Sequence, residues 1–163
     1  MISDLTKAET QALTQHEISA KIKSQHWRLN HLYYIIDKNG IRVQFKMNWA
    51  QILLNKALWY LNIILKARQL GCTTFVCLYI LDVCLFHGNT QAAILAHNKN
   101  IASKIFEEKI HFPYMNLPDF LKSGQVENFK TLYESTTLLK FGNNSSIMVG
   151  TTLRGGTYQY LLI

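Results

Sequence analysis

The hydrophobic positions of this chain fall in blocks whose lengths separate strands from helices. The block around which the others are arranged is Leu61-Asn62-Ile63-Ile64-Leu65, the length of a short buried strand. After Lys66-Ala67-Arg68-Gln69-Leu70-Gly71-Cys72-Thr73-Thr74 comes an apolar run from Phe75 to Phe86, long enough for a buried helix. Gln91 to His97 reads as a second buried strand. Asn98 then caps a helix through Ile101, Ile105 and Phe106. Strand, helix, strand, helix predicts an α/β fold with a parallel sheet and right-handed crossovers.

The remaining pattern fills in around these blocks. Residues 3–25 read as one polar helix, and the aromatic segment from Trp27 to Asp37 passes into a hairpin turned by Asn39-Gly40. Asn48 with Gln51 three residues later has the form of a capping box ahead of a helix with Ile52, Leu54, Leu58 and Trp59. Lys99, Lys104 and Lys109 alternate with Glu107 and Glu108 in the manner of an exposed helix face. Asn116-Leu117-Pro118 breaks that helix. A second hairpin follows, from Thr136 to Phe141 and from Ser146 to Gly150, and Tyr158 to Ile163 reads as a last apolar strand.

Composition narrows the class. At 163 residues, 48% hydrophobic and 17% charged, the chain has the size and make-up of one globular domain. Seventeen Lys and Arg against ten Asp and Glu give a net charge of +7, a lean towards an anionic partner. Cys72, Cys77 and Cys84 are odd in number and lack metal-ligand spacing, as in a reduced intracellular protein. The chain opens on a polar segment rather than a leader, and its longest apolar run is short for a bilayer and contains Asp82. A soluble protein with no membrane partner is expected.

Candidate chemistry centres on the loop between the first strand and its helix. Against the phosphate-loop pattern G-x-x-x-x-G-K-[ST], the segment keeps Gly71 and Thr73 but has Cys72 at the lysine. Lys66 stands at the first-glycine position and Arg68 two residues on. Backbone N–H groups of such a loop and helix N-terminus cradle phosphate, and the Thr73 hydroxyl is placed to ligate Mg²⁺. An ordinary βα turn is the alternative.

The string Lys-Ala-Arg-Gln-Leu-Gly-x-Thr-Thr after a hydrophobic strand resembles the deviant phosphate loop of large terminase subunits, the ATP-driven motors that package double-stranded DNA of tailed phages. The segments Trp27 to Lys38, Ile94 to His97 and Leu117 to Leu121 are similar to the same family. The resemblance implies a RecA-like P-loop NTPase fold, with a parallel sheet and flanking helices, in which residues 1–44 form a helix-and-hairpin extension and 45–163 a partial ATPase domain. It implies ATP and Mg²⁺ held by Gln51, Lys66, Arg68, Gln69, Gly71, Thr73 and Thr74. Lys66 replaces the missing lysine and Gln51 reads adenine, unless it serves only the capping box. Arg154, in an Arg-Gly pair, is a candidate sensor of nucleotide or DNA, or part of a tight turn; His97 either faces the site or bonds backbone.

Family partners are double-stranded DNA, a portal protein and a small terminase subunit, in the cytoplasm of a bacterial host. The family's acidic residues would follow Ile163, so no catalytic residue lies within the chain, which reads as truncated before the acidic strand end and before the nuclease domain. Inability to turn over ATP is the expectation. A fragment of a helicase-like nucleic-acid ATPase and a small α/β interaction protein without a nucleotide site remain as alternatives.

Overall fold

The structure, a computed structural model, describes residues 20–65, 69–122, 129–153 and 156–163. Its helices are α1 (Gln25–His31), α2 (Trp49–Ala57), α3 (Cys72–Phe86), α4 (Lys99–Ile105), α5 (Phe112–Met115) and α6 (Asp119–Lys122), with a π-helical stretch, Phe106–His111, joining α4 to α5. Strands β1 (Tyr34–Ile36) and β2 (Arg42–Gln44) form a hairpin. Strands β3 (Gln91–Leu95), β4 (Thr131–Glu134), β5 (Leu138–Phe141), β6 (Ser146–Gly150) and β7 (Tyr160–Leu162) form a sheet in the order β4-β5-β6-β3-β7.

α3 is the centre of the molecule. Ten of its fifteen residues are buried, and a helix apolar on every side is stable only when surrounded. α1 and the π-helical stretch pack on it, and it lies against β3 and β6. Leu29, Leu32 and Tyr33, ahead of residue 45, share one core with Phe75, Leu78 and Leu81 of α3 and with Ile94, Phe141 and Ile147 of the sheet. The short connection from α3 to β3 and the contact of Cys84 Sγ with the Ser146 carbonyl, 3.7 Å, place the end of the helix beside the beginnings of β3 and β6. Its N-terminus therefore faces their carboxyl ends.

Several expectations are met. The first hairpin turns where expected, with Asp37 Oδ1 accepting from the N–H groups of Asn39 and Ile41, both at 2.8 Å, and Gly40 at φ 77°. Asn98 caps α4 through the Ile101 N–H at 2.9 Å. The β5–β6 hairpin is present as well. Most of the polar helix predicted over 3–25 lies outside the described residues, and Ser24 begins the separate helix α1 by accepting from the Trp27 N–H.

The fold class requires correction. The sheet is mixed, with β3 parallel to both β6 and β7 and with β4, β5 and β6 antiparallel in succession, and nothing in it marks a RecA-like P-loop fold. The β5–β6 turn is too short for a crossover, so those strands must run antiparallel. The organising strand is also missing: residues 61–65 form no strand, with Leu61 72%, Ile63 86% and Leu65 95% exposed. Asn62 explains part of this. Its Oδ1 accepts from the Trp59 N–H at 2.9 Å and its Nδ2 donates to the Trp59 carbonyl at 2.6 Å, so the side chain closes a local turn between Trp59 and Asn62 in place of an extended entry to a strand.

One buried ion pair holds α1 to α3. Arg28 Nε and Nη2 donate to the Asp82 carboxylate at 2.9 and 2.6 Å, and Tyr33 Oη donates to Asp82 Oδ1 at 2.8 Å. Arg28 Nη1 donates to the Ile22 carbonyl at 2.7 Å, and the guanidinium lies 4.0 Å from the centre of the Phe86 ring. Removing one partner strands a buried charge, so Arg28→Met should cost about 3–5 kcal/mol in urea unfolding, while Arg28→Met with Asp82→Leu should recover most of it. Recovery of nothing by the double variant would show that the pair's worth is not electrostatic.

Burial also sets an alkaline limit. It pushes the Cys77 and Cys84 thiols from 9.0 up to about 12, and burial with the Asp82 charge raises the Tyr33 phenol. The unfolded chain then loses these protons before the folded one. The stabilisation is fully present below pH about 9 and declines as pH rises towards about 12. Urea midpoints measured from pH 8 to 11 should fall progressively, and a flat profile would count against buried thiols.

Candidate functional site

The site is built where α2 meets the beginning of α3. The capping box is complete: Asn48 Oδ1 accepts from the Gln51 N–H at 3.0 Å, and Gln51 Oε1 accepts from the Asn48 N–H at 2.9 Å. Gln51 is 4% exposed, and its Nε2 donates to the Gly71 carbonyl at 3.0 Å. Asn48 Nδ2 donates to the neighbouring Leu70 carbonyl at 3.2 Å. Two side chains of one capping box thus anchor the last residues of a loop some twenty positions away. Both ends of the Gln51 amide face backbone, so the geometry gives it a positioning role.

Gly71 enters α3 in the left-handed region, at φ 69° and ψ 14°, and Gln69 is also left-handed, at φ 68°. A Cβ on Gly71 would lie 2.7 Å from Gln51 Nε2, so backbone conformation and space both call for glycine. The N-cap residue of α3 is Gly71, which has no side chain to cap the helix, and the first turn carries no acidic residue. Its leading N–H groups keep the partial positive charge of a helix N-terminus. Thr73 is exposed there, and Thr74 accepts from Lys109 Nζ at 3.0 Å.

Of the candidate nucleotide ligands, the structure brings together Gln51, Gln69, Gly71, Thr73 and Thr74. Lys66, Arg68 and Arg154 lie outside the described residues. His97 is exposed just past β3. Lys109 is the residue that pattern reading missed. Alternation with glutamates placed it on a solvated face, but it sits in the π-helical stretch, whose wider turn shifts the following positions away from a 3.6-residue period. Its half-buried ammonium stands one hydrogen bond from the first turn of α3.

The arrangement can hold an anion through backbone N–H groups and a nearby cation, with a hydroxyl open to a phosphate-bound metal. Among the described residues, no group of three or more His, Cys, Asp or Glu could hold a metal ion. Nor is any helix among them long and apolar enough to cross a membrane. No protein-family model matches the chain, and no curated protein matches it.

The close approach of Gly71 and Gln51 makes a checkable coupling. Gly71→Ala should destabilise by about 1–2 kcal/mol from the left-handed backbone, with a further loss as the new Cβ displaces the Gln51 amide. In a Gln51→Ala background that further loss should vanish, giving sub-additive costs in a double-mutant cycle of unfolding free energies. Strict additivity would mean that the two residues do not press on one another.

Proposed function

We propose that this chain is the nucleotide-binding portion of a DNA-packaging motor of the large-terminase type, acting on double-stranded DNA in a bacterial host cell. The reading rests on the loop and the helix, independently of a RecA-like sheet. The observation that supports it is the bond from Gln51 Nε2 to the Gly71 carbonyl, since the resemblance implies that the glutamine segment and the phosphate loop act at one site.

In this reading the first-turn N–H groups of α3 take the β- and γ-phosphate oxygens of ATP, and the Thr73 hydroxyl is the protein's ligand to Mg²⁺, with phosphate and water completing the shell. Lys66 and Arg68 bring the charge that Cys72 cannot. Lys109, whose Nζ donates to Thr74 Oγ1, adds a third cation. Gln51 holds Gly71 so that the N–H groups stay aimed. The net charge of +7 favours the nucleotide and the DNA backbone alike. A portal protein and a small subunit would be the assembly partners of such a motor.

A second reading, a small α/β interaction protein with no nucleotide site, is favoured by the apolar residues exposed from Trp59 to Leu65. Titration of the purified chain with a fluorescent ATP analogue and Mg²⁺ separates the two. Weak, saturable binding is expected. Lys66→Ala should weaken it roughly ten- to a hundredfold, the loss of one charge-assisted hydrogen bond of about 1.5–3 kcal/mol. No saturable binding in the parent, or equal binding by Lys66→Ala, would overturn the assignment.

A further inference from the structure

The net charge of the molecule is concentrated in one part of the chain. Between Asp37 and Asp82 stand Lys38, Arg42, Lys46, Lys56, Lys66 and Arg68, and no Asp or Glu. The rest of the sequence is nearly balanced, eleven cations against ten anions. Exposed apolar surface is concentrated in the same place. Among the described residues, nine of the fifteen large hydrophobic side chains open to solvent fall between Asp37 and Asp82.

Trp49, Leu53 and Lys56 lie at four- and three-residue spacing on one face of α2, all exposed, while Gln51 on the other side is buried. Lys46 is exposed just ahead of the helix. Past its end every residue from Trp59 to Leu65 is exposed, beginning with Trp59 and Tyr60 at 75% and 89%, whose rings lie 6.1 Å apart. We propose that residues 46–65 lie on an anionic lipid surface, with the aromatic and aliphatic side chains entering the headgroup boundary and Lys46 and Lys56 meeting lipid phosphates. A contact of this kind needs no helix that crosses the bilayer.

Charge and side-chain type together select this occupant. Indole and phenol rings join an apolar body to a polar tip and settle at the boundary of a bilayer, where lysine stems follow the apolar surface and keep their charge in water. A clustered cation excess is attracted to anionic headgroups, whereas a second copy would bring the same cations and be repelled. Nucleic acid offers the complementary charge, but Leu53, Leu61, Ile63 and Leu65 have no flat face on which a base could stack. A protein groove that receives a helix or a strand reads anchors at one period. Here Trp49 and Leu53 follow a helical period while Trp59 to Leu65 are exposed one after another, outside any helix or strand, and a fluid boundary accepts both. The proposal is independent of the nucleotide reading.

Flotation of the full chain with vesicles of phosphatidylcholine mixed with phosphatidylglycerol should show binding that weakens with added salt, and vesicles of phosphatidylcholine alone should bind roughly tenfold less or worse. Trp27 is half-buried against His31, so quenching of tryptophan emission by brominated acyl chains reports Trp49 and Trp59, and it is expected in the mixed vesicles. Lys46→Glu with Lys56→Glu, and separately Leu53→Ser with Trp59→Ser, should each weaken binding roughly tenfold or more with an unchanged circular dichroism spectrum. Leu58 to Tyr60 lie beside Tyr160 and Leu161 of β7, whereas the exposed Leu132 is on β4 at the other edge of the sheet, so Leu132→Ser should bind as the parent does. Equal binding to neutral and mixed vesicles, binding to neither, or an equal loss in Leu132→Ser would overturn the proposal. So would quenching of the tryptophans by a single-stranded oligonucleotide but not by brominated vesicles, which would assign the face to nucleic acid.

Discussion

The contact on which the rest of the molecule depends is the ion pair of Arg28 and Asp82, 5% and 0% exposed at the side chains. A helix such as α3, apolar on all sides, gains nearly as much from burial whichever way it is turned about its axis. Asp82 removes that freedom. Its carboxylate must meet both Arg28 and Tyr33, and only one rotation of the helix presents it to α1 and to the start of β1. The pair thus acts on specificity, and its desolvation cost, which an apolar replacement of equal volume would avoid, offsets much of its attraction.

Rotation fixed in the middle of α3 is transmitted to both ends. At the C-terminus, Asn143 Nδ2 donates to the Cys84 and Leu85 carbonyls at 2.8 and 3.2 Å, and Ser145 Oγ donates to the His87 carbonyl at 2.8 Å. The β5–β6 turn therefore satisfies the last carbonyls of the helix and sets its height against the sheet. At the N-terminus the cap position is Gly71, which brings no side chain. Gln51 Nε2 instead donates to the Gly71 carbonyl, which holds the turn that enters the helix. The two ends of the helix are thus held by side chains from different parts of the chain, Asn143 and Ser145 at one and Gln51 at the other.

Features carried by local chemistry were legible in the sequence. The Asn39-Gly40 turn, the Asn48–Gln51 box, the Asn98 cap, the buried helix and the β5–β6 hairpin each depend on residues a few positions apart, and all are present. Features that depend on distant partners were not. Asp82 within an apolar run demanded a buried partner, yet nothing in the pattern selected Arg28, fifty-four positions earlier. The run Leu61 to Leu65 has strand composition but no ladder, because a strand exists only through its neighbour and Asn62 diverts the adjoining backbone. Lys109 was hidden by the π-helical widening, which no 3.6-residue pattern reveals. Sheet class failed for the same reason: a hairpin turn can be read locally, whereas which segments become strands, as with the missing strand at 61–65 and the unforeseen β4, and how they pair beyond one hairpin cannot.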